Sequence, residues 1–191
     1  KTNIGSVSNS GIEITADLDV LRRGDFRWNV GYIGTIMKNK VLSLPPENKK
    51  DGIISGNKKL MEGKDMYQFW LFQFAGVDQM TGNSLYLINY DKYYTGEAVP
   101  ERSPIPSNWL VQIGDKYYTR NLTYAKQDWS GSAIPDVFGS VSTSLSYKNL
   151  DLSALVTYSI GGKAYDDSYD ALMAVGTTPS ALHKHLLKSW D

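Results

Sequence analysis

Apolar and polar residues alternate with a period of two at the start of the chain, on both sides of a short charged segment. The even positions of residues 12–20 are apolar and the odd positions are polar, mostly acidic. After Arg22-Arg23-Gly24-Asp25 the even positions from Phe26 to Ile36 are again mostly apolar. Successive side chains of a strand point to opposite faces, so this pattern predicts a hairpin with a turn at residues 22–25, one apolar face and one wet face.

A second hairpin is predicted by the same alternation. Residues 141–147 carry apolar side chains at odd positions, residues 152–160 carry them at even positions, and Lys148-Asn149 supplies a tight turn between them. A third, less regular pair of strands, residues 67–75 and 84–89, flanks a polar segment at 77–83.

Short turns on one side and long loops on the other repeat along the chain. Polar stretches at residues 45–64, 90–135 and 161–179 connect strands of about nine to eleven residues, whereas strands of soluble sandwiches run about five or six. Long alternating strands with this asymmetry are typical of outer-membrane barrels. We therefore predict an all-β fold, an antiparallel up-and-down segment of a large transmembrane β-barrel with long extracellular loops. Trp28, Tyr32, Tyr147 and Tyr158 are expected on its lipid-facing side.

The composition of the chain argues against several classes of function. The 20 basic and 20 acidic residues cancel, which argues against a nucleic-acid partner. No cysteine is present, which excludes a disulfide scaffold and a thiolate metal site. The mean hydropathy of −0.34 fits a barrel wall, because only alternate residues face lipid. The chain starts at Lys1 without a targeting peptide and both ends look cut, so we expect part of a larger barrel.

Four ordered blocks carry a resemblance to a known family. They are "NIGSVSNSGIEI" (residues 3–14), "DFRWNVGYIGTIMKNKVLSL" (25–44), "FAGVDQMTGNSLY" (74–86) and "IPDVFGSVSTSLSYKNLDLSALVTYSIGGKAYD" (134–166). Together they resemble the SusC/RagA-like group of TonB-dependent outer-membrane transporters. The chain departs from the family at Gln79-Met80, where many members carry Pro, and residues 90–135 have no match.

The resemblance implies that residues 1–191 are a late part of a barrel of about 22 strands, without the plug, the TonB box and the closing strands. It implies an importer of glycans or oligopeptides in the bacterial outer membrane, in contact with outer-membrane lipid. It also implies a SusD-like surface lipoprotein as partner and the TonB-ExbB-ExbD system, which acts through the missing N-terminal part. No enzymatic activity and no cofactor are expected.

Aromatic residues of the longest loop are the candidate ligand- or partner-binding residues: Trp109, Tyr117, Tyr118, Tyr124 and Trp129. Exposed aromatic rings stack on sugars or clamp peptides. The same rings would also serve to pack the loop onto itself or to contact the SusD-like partner.

Metal and catalytic sites are not predicted. His183 and His185 have no evident third ligand, and the acidic residues Asp166, Asp167 and Asp170 lack the glycine geometry of an EF-hand. Two alternatives remain open: a soluble β-sandwich that binds carbohydrate, and a TonB-dependent receptor of the siderophore or cobalamin type.

Overall fold

The computed structural model describes residues 5–173 and 181–188. Its strands are β1 (Ser6–Arg23), β2 (Phe26–Ser43), β3 (Ile53–Ser55), β4 (Lys58–Leu60), β5 (Gln68–Phe72), β6 (Phe74–Val77), β7 (Ser84–Leu87), β8 (Tyr93–Tyr94), β9 (Ser103–Pro104), β10 (Leu110–Ile113), β11 (Lys116–Thr119), β12 (Gln127–Ser132), β13 (Val137–Tyr147) and β14 (Leu150–Ile160). One helix, α1 (Asp167–Met173), and 3₁₀ turns at Pro46–Asn48, Ser107–Trp109 and Lys184–Lys188 complete the described elements. None of these helices is both long and apolar enough to cross a membrane.

The longest strands form one antiparallel sheet in the order β1-β2-β13-β14. Its register aligns the apolar positions of all four strands. Ala16, Tyr32, Val141 and Val156 form one cross-strand row, and Trp28, Leu145 and Leu152 form another. The opposite face aligns Asp19, Asn29, Ser144 and Ser153, with Ile33, Phe138 and Leu155 as apolar exceptions. The predicted all-β antiparallel fold and both long hairpins are therefore confirmed.

The first hairpin turn is shorter than predicted. Arg23 pairs with Phe26, so only Gly24 and Asp25 form the turn, and β1 and β2 each run for 18 residues. The register shifts between Asp19 and Leu21, which places Leu21 opposite Trp28. This bulge changes the phase of the alternation. The period-two pattern of the sequence therefore ends near residue 20, although β1 continues to Arg23. The predicted Lys148-Asn149 turn is confirmed by the pairing of Tyr147 with Leu150.

The third predicted strand pair does not join the long sheet. The first predicted strand, residues 67–75, is divided into β5 and β6. β5 belongs to the sheet β12-β5-β4-β3, whereas β6 pairs with β7 in the sheet β10-β11-β7-β6. β6 and β7 have four residues each. Strands of this length are too short to span a hydrocarbon layer. The connection between β2 and β13 thus carries small sheets of its own instead of further long strands.

The chain divides into two compact units. The first comprises Lys1–Phe69 and Ser130–Ala164 and contains the long sheet, and the second comprises Trp70–Trp129 and Tyr165–Asp191. Buried apolar side chains in the described part of the first unit are Val41, Leu44 and Phe69, and in the second they are Leu85, Ile88, Ile105 and Ala125. In the first unit, the apolar face of the long sheet remains exposed.

Gly24 provides a test of the first hairpin. Its φ is +58°, and a Cβ added there meets no atom within 4 Å, so Gly24→Ala introduces only backbone strain. We expect the free energy of unfolding of the intact protein to fall by about 1 kcal/mol, measured by urea titration in detergent micelles. Gly24→Asn is the matched control and should cost less, because Asn tolerates a positive φ. Equal stability of the Ala variant and the wild type would contradict this turn geometry.

Candidate functional site

A groove in the second unit brings two of the candidate tyrosines together. It has a volume of about 410 Å³ and is lined by Leu87, Ile88, Tyr90, Asp115, Lys116, Tyr117, Tyr118 and Lys126. The antiparallel pairs β10–β11 and β11–β7 position its wall, with Tyr118 opposite both Val111 and Leu87. A tight turn at Gly114-Asp115, with Gly114 at a φ of +62°, reverses the chain before Tyr117.

The groove combines aromatic rings with charged groups of both signs, Lys116 and Lys126 beside Asp115. Lys126 forms an ion pair with Asp128 over 2.7 Å. The hydrogen bond to Asp128 raises the pKa of Lys126, and Lys126 together with the backbone N–H of Trp129 lowers the pKa of Asp128. Lys116 is exposed and forms no ion pair within the described part of the chain. Such a surface suits a ligand with a flat or apolar body and an acceptor group.

The other candidate rings lie outside this groove. Tyr124 packs edge-on against Tyr93, with ring centroids 5.0 Å apart, and Trp129 packs in the same way against Trp70 at 4.9 Å. Trp109 ends a 3₁₀ turn, and its carbonyl accepts the backbone N–H of Arg120. The five residues therefore do not form one cluster.

Six groove residues were not predicted from the sequence: Leu87, Ile88, Tyr90, Asp115, Lys116 and Lys126. They come from separate segments that meet only through the pairing of β11 with β7 and the Ile88–Ala125 bridge. Of these residues, Tyr90 could have been predicted, because it lies in the aromatic segment "NYDKYY".

Asp78 anchors the loop between β6 and β7 on the same unit. Its carboxylate is buried and accepts hydrogen bonds from the Thr81 hydroxyl at 2.6 Å, the Met80 N–H at 3.0 Å and the Arg120 Nε at 2.9 Å. The Arg120 Nη2 donates to Oδ2, the carboxylate oxygen that also accepts from Arg120 Nε and the Thr81 hydroxyl. The Thr81 hydroxyl, the Met80 N–H and the Arg120 guanidinium hold the pKa of Asp78 below its ordinary value. The Val-Asp-x-x-Thr-Gly segment is thus a carboxylate-centred turn clamped by an arginine.

The histidines form a small aromatic cluster. The rings of His183 and His185 lie 4.3 Å apart, and the Tyr169 hydroxyl lies 3.1 Å from His185 Nδ1. Asp166 accepts the Tyr169 N–H near the start of α1. No group of three or more potential metal ligands occurs among the described residues.

Curated relatives cover nearly the whole chain. TonB-dependent receptor P26 of Formosa agariphila is 28% identical over 173 residues, which are 86% of this chain and 16% of the receptor. TonB-dependent receptor SusC of Bacteroides thetaiotaomicron is 25% identical over 169 residues, 86% of this chain and 15% of SusC. The chain is similar in sequence to TonB-dependent receptors, SusC among them.

Solved structures share the fold of this chain. The structure of the RagAB peptide transporter matches 99% of the chain and 19% of its own chain, with a TM-score of 0.71 and 20% identity. A closed state of the RagAB peptide importer matches with a TM-score of 0.54 and 20% identity, over 84% of this chain and 16% of its own. No protein-family model matches the sequence. The chain spans less than a fifth of the length of the curated relatives named above.

The clamp at Asp78 predicts acid sensitivity of the second unit. A carboxylate with a lowered folded pKa stabilises above its ordinary value of 3.8, and this stabilisation is lost as the pH falls through the folded value. We expect the protection factors of the β6–β7 amides in the intact protein, which compare exchange rates with the intrinsic rate at the same pH, to fall below about pH 4. In Asp78→Asn, protection should be low already at pH 7 and nearly insensitive to this change in protonation. Glu97→Gln, at an exposed position, is the control, and the clamp is refuted if both variants exchange alike.

Proposed function

We propose that this chain is part of the barrel wall of a TonB-dependent outer-membrane importer of glycans or oligopeptides, with the connection between β2 and β13 on the external side. One observation carries the proposal: the four-stranded sheet presents a continuous apolar face to its surroundings. Ile12, Leu18, Leu150, Leu152 and Val156 are each more than 60% exposed on this face. An apolar surface of this extent requires a lipid or protein partner.

The height of the apolar band fits a bilayer. In β2 the band runs from Phe26 to Ile36, and the same face continues with Lys38 and Lys40. Ten steps of about 3.3 Å, inclined by about 40°, rise about 25 Å, which is the height of the apolar band of outer-membrane barrels. The remaining residues of β1 and β2 extend beyond the band toward the long connection. This division explains strands of 18 residues, longer than the nine to eleven predicted.

Aromatic pairs lie on the lipid-facing side of the sheet. Phe26 and Tyr147 flank the two tight turns, with ring centroids 6.5 Å apart. Toward the other end, Tyr32 and Tyr158 stack at 6.4 Å and share a hydroxyl hydrogen bond of 2.9 Å. Aromatic girdles occupy such positions in outer-membrane barrels.

Both outer strands of the sheet support membership of a larger barrel. In the described structure β1 pairs only with β2, and β14 pairs only with β13. Unpaired backbone groups are costly in hydrocarbon, so closed barrels are the form in which sheets cross membranes. Neighbouring strands from the remainder of the receptor would satisfy these edges. Tight turns on one side and the long connection on the other support an external position for the connection.

The relatives support the imported ligand class and the partners. SusC is a TonB-dependent receptor, and RagAB is a peptide transporter. We infer a SusD-like surface lipoprotein that meets the external connection, and energy coupling to TonB through the part of the receptor that carries the TonB box. The groove around Tyr117 and Tyr118 would contact the ligand or that lipoprotein, as would the exposed ring of Trp109. Tyr124 and Trp129, packed against other rings, would hold the loop in place.

Alternation alone would also fit a soluble sandwich, but that fold needs a second sheet over the apolar face. The face is uncovered in the described structure, which favours the membrane wall. A siderophore or cobalamin receptor would share the barrel and lack the SusD-like lid, and the similarity to SusC favours the lidded class.

Single cysteines test the membrane orientation in an intact protein whose cysteines outside this chain are replaced, since the chain itself has none. In β14, Leu152 and Ala154 lie on the apolar face, and Asp151 and Ser153 lie on the wet face. In intact protein reconstituted in vesicles, we expect a water-soluble maleimide to label Asp151→Cys and Ser153→Cys at least tenfold faster than Leu152→Cys and Ala154→Cys, because lipid shields the latter. Similar labelling at all four positions would rule out the barrel wall.

The groove predicts a specific loss of ligand binding. Removing an aromatic contact costs about 1 kcal/mol, so Tyr117→Ala should weaken ligand binding by about fivefold. The measurement is calorimetry on the intact transporter, with a starch-derived oligosaccharide and a mixed tryptic peptide digest as separate probes. Tyr67→Ala is the matched control, since its ring is comparably exposed but lies outside the groove. A loss in the control alone would show that the groove is not the contact site.

A further inference from the structure

The apolar face of β2 ends in two lysines on the side of the long connection. After Ile36 the same face carries Lys38 and Lys40, which lie opposite Ser10 and Ser8 of β1. The register runs without a shift from Val7 to Asp19, so these side chains project from the same face as Ile12 and Ile36. Both lysines are exposed, and neither forms an ion pair within the described residues.

Charge is segregated between the two faces of this hairpin. The acidic residues of β1, namely Glu13, Asp17 and Asp19, all lie on the wet face. The outward positions of both strands carry no acidic residue, so the field of Lys38 and Lys40 is not neutralised on that face. At the opposite end of the band, Arg23 lies opposite Phe26, and Lys148 lies 5.3 Å from the Tyr147 ring centroid. The band is therefore bordered by cations at both ends.

A polar concavity of about 390 Å³ adjoins the lysines, on the edge of β2 that β13 leaves free. Lys38 and Lys40 line it together with Asn39, Asp65 and Asp136. The Asp65 carboxylate already accepts hydrogen bonds from the Tyr67 N–H and the Ser132 hydroxyl. Asn39 is held by Asn9 and by the Met66 N–H. Asp65 and Asn39 are thus engaged within the protein. The Asp136 carboxylate also lines the concavity, so the proposed contact lies not in the concavity but on the outward face, where the Lys38 and Lys40 ammonium groups project.

We propose that Lys38 and Lys40, with the hydroxyls of Ser8 and Ser10, bind the phosphate group of a lipid headgroup in the external leaflet. This inference rests on the proposed membrane orientation. The lysines begin two residues beyond the apolar band, about 7 Å along the strand, where headgroup phosphates lie. Lysine side chains extend toward this level while their stems remain against apolar surface. Ammonium groups and hydroxyls are donors that suit a phosphate monoester.

The test compares lipid retention by variants of the intact protein. The double variant Lys38→Gln/Lys40→Gln removes both charges, and Lys50→Gln/Lys92→Gln removes two exposed charges from the loops as the matched control. Each protein is reconstituted in phosphatidylcholine vesicles doped with lipid A, a phosphorylated glycolipid. Bound lipid A is then quantified by native mass spectrometry after extraction. We expect about tenfold weaker retention in the first variant and wild-type retention in the control.

The outcomes separate this inference from the proposed function. Retention by the double variant equal to that of the control overturns the lipid site while the barrel stands. Displacement of lipid A by inorganic phosphate alone would also overturn it, because the site would then bind free phosphate. Failure of the wild type to insert into vesicles would overturn the membrane orientation and the lipid site together. If high salt removes the difference in lipid A retention between the wild type and the double variant, the result supports the site, because salt screens the attraction between exposed charges.

Discussion

The register of four long strands is the constraint on which the other features depend. A slip of one residue between β1 and β2 would move Glu13, Asp17 and Asp19 onto the face that carries Ile12, Leu18 and Ile36. In hydrocarbon, each misplaced carboxylate would cost several kcal/mol. Two tight turns, at Gly24-Asp25 and Lys148-Asn149, hold this register at one end of the sheet. The same end carries the Phe26–Tyr147 ring pair.

A rigid wall allows the connection between β2 and β13 to be elaborate. This connection holds small sheets, buried positions such as Leu85 and Ile88, and the Asp78–Arg120 clamp. Binding sites commonly lie on loops that a regular scaffold supports, because loops can vary without disturbing the scaffold. The aromatic and charged groove lies in such a connection. Its shape depends on the β11–β7 pairing and not on the long sheet.

Much of the wall could be predicted from the sequence, because period-two alternation is a local signal. The bulge near Leu21 could not be predicted, since it changes the phase of the apolar-polar alternation at a position that no Gly or Pro marks. The pairing of β5 with β4 and β12 was equally hidden, because short strands carry too little pattern to specify partners. Tyr117 and Tyr118 were found as aromatic loop residues. Lys126 was not, because its proximity to them arises from long-range pairing.

The exposed apolar face also determines where this sheet can be stable. Fully burying a leucine or isoleucine contributes about 1.5 to 3 kcal/mol, and in water the exposed residues of this face forgo most of that contribution. Lipid restores it without a second protein layer, which removes the need for the thick core of a soluble sandwich. Lipid cannot satisfy the free backbone groups of β1 and β14, however, and only further strands can. Under the proposed function, lipid thus covers the apolar face, and further strands of the receptor pair with the two free edges.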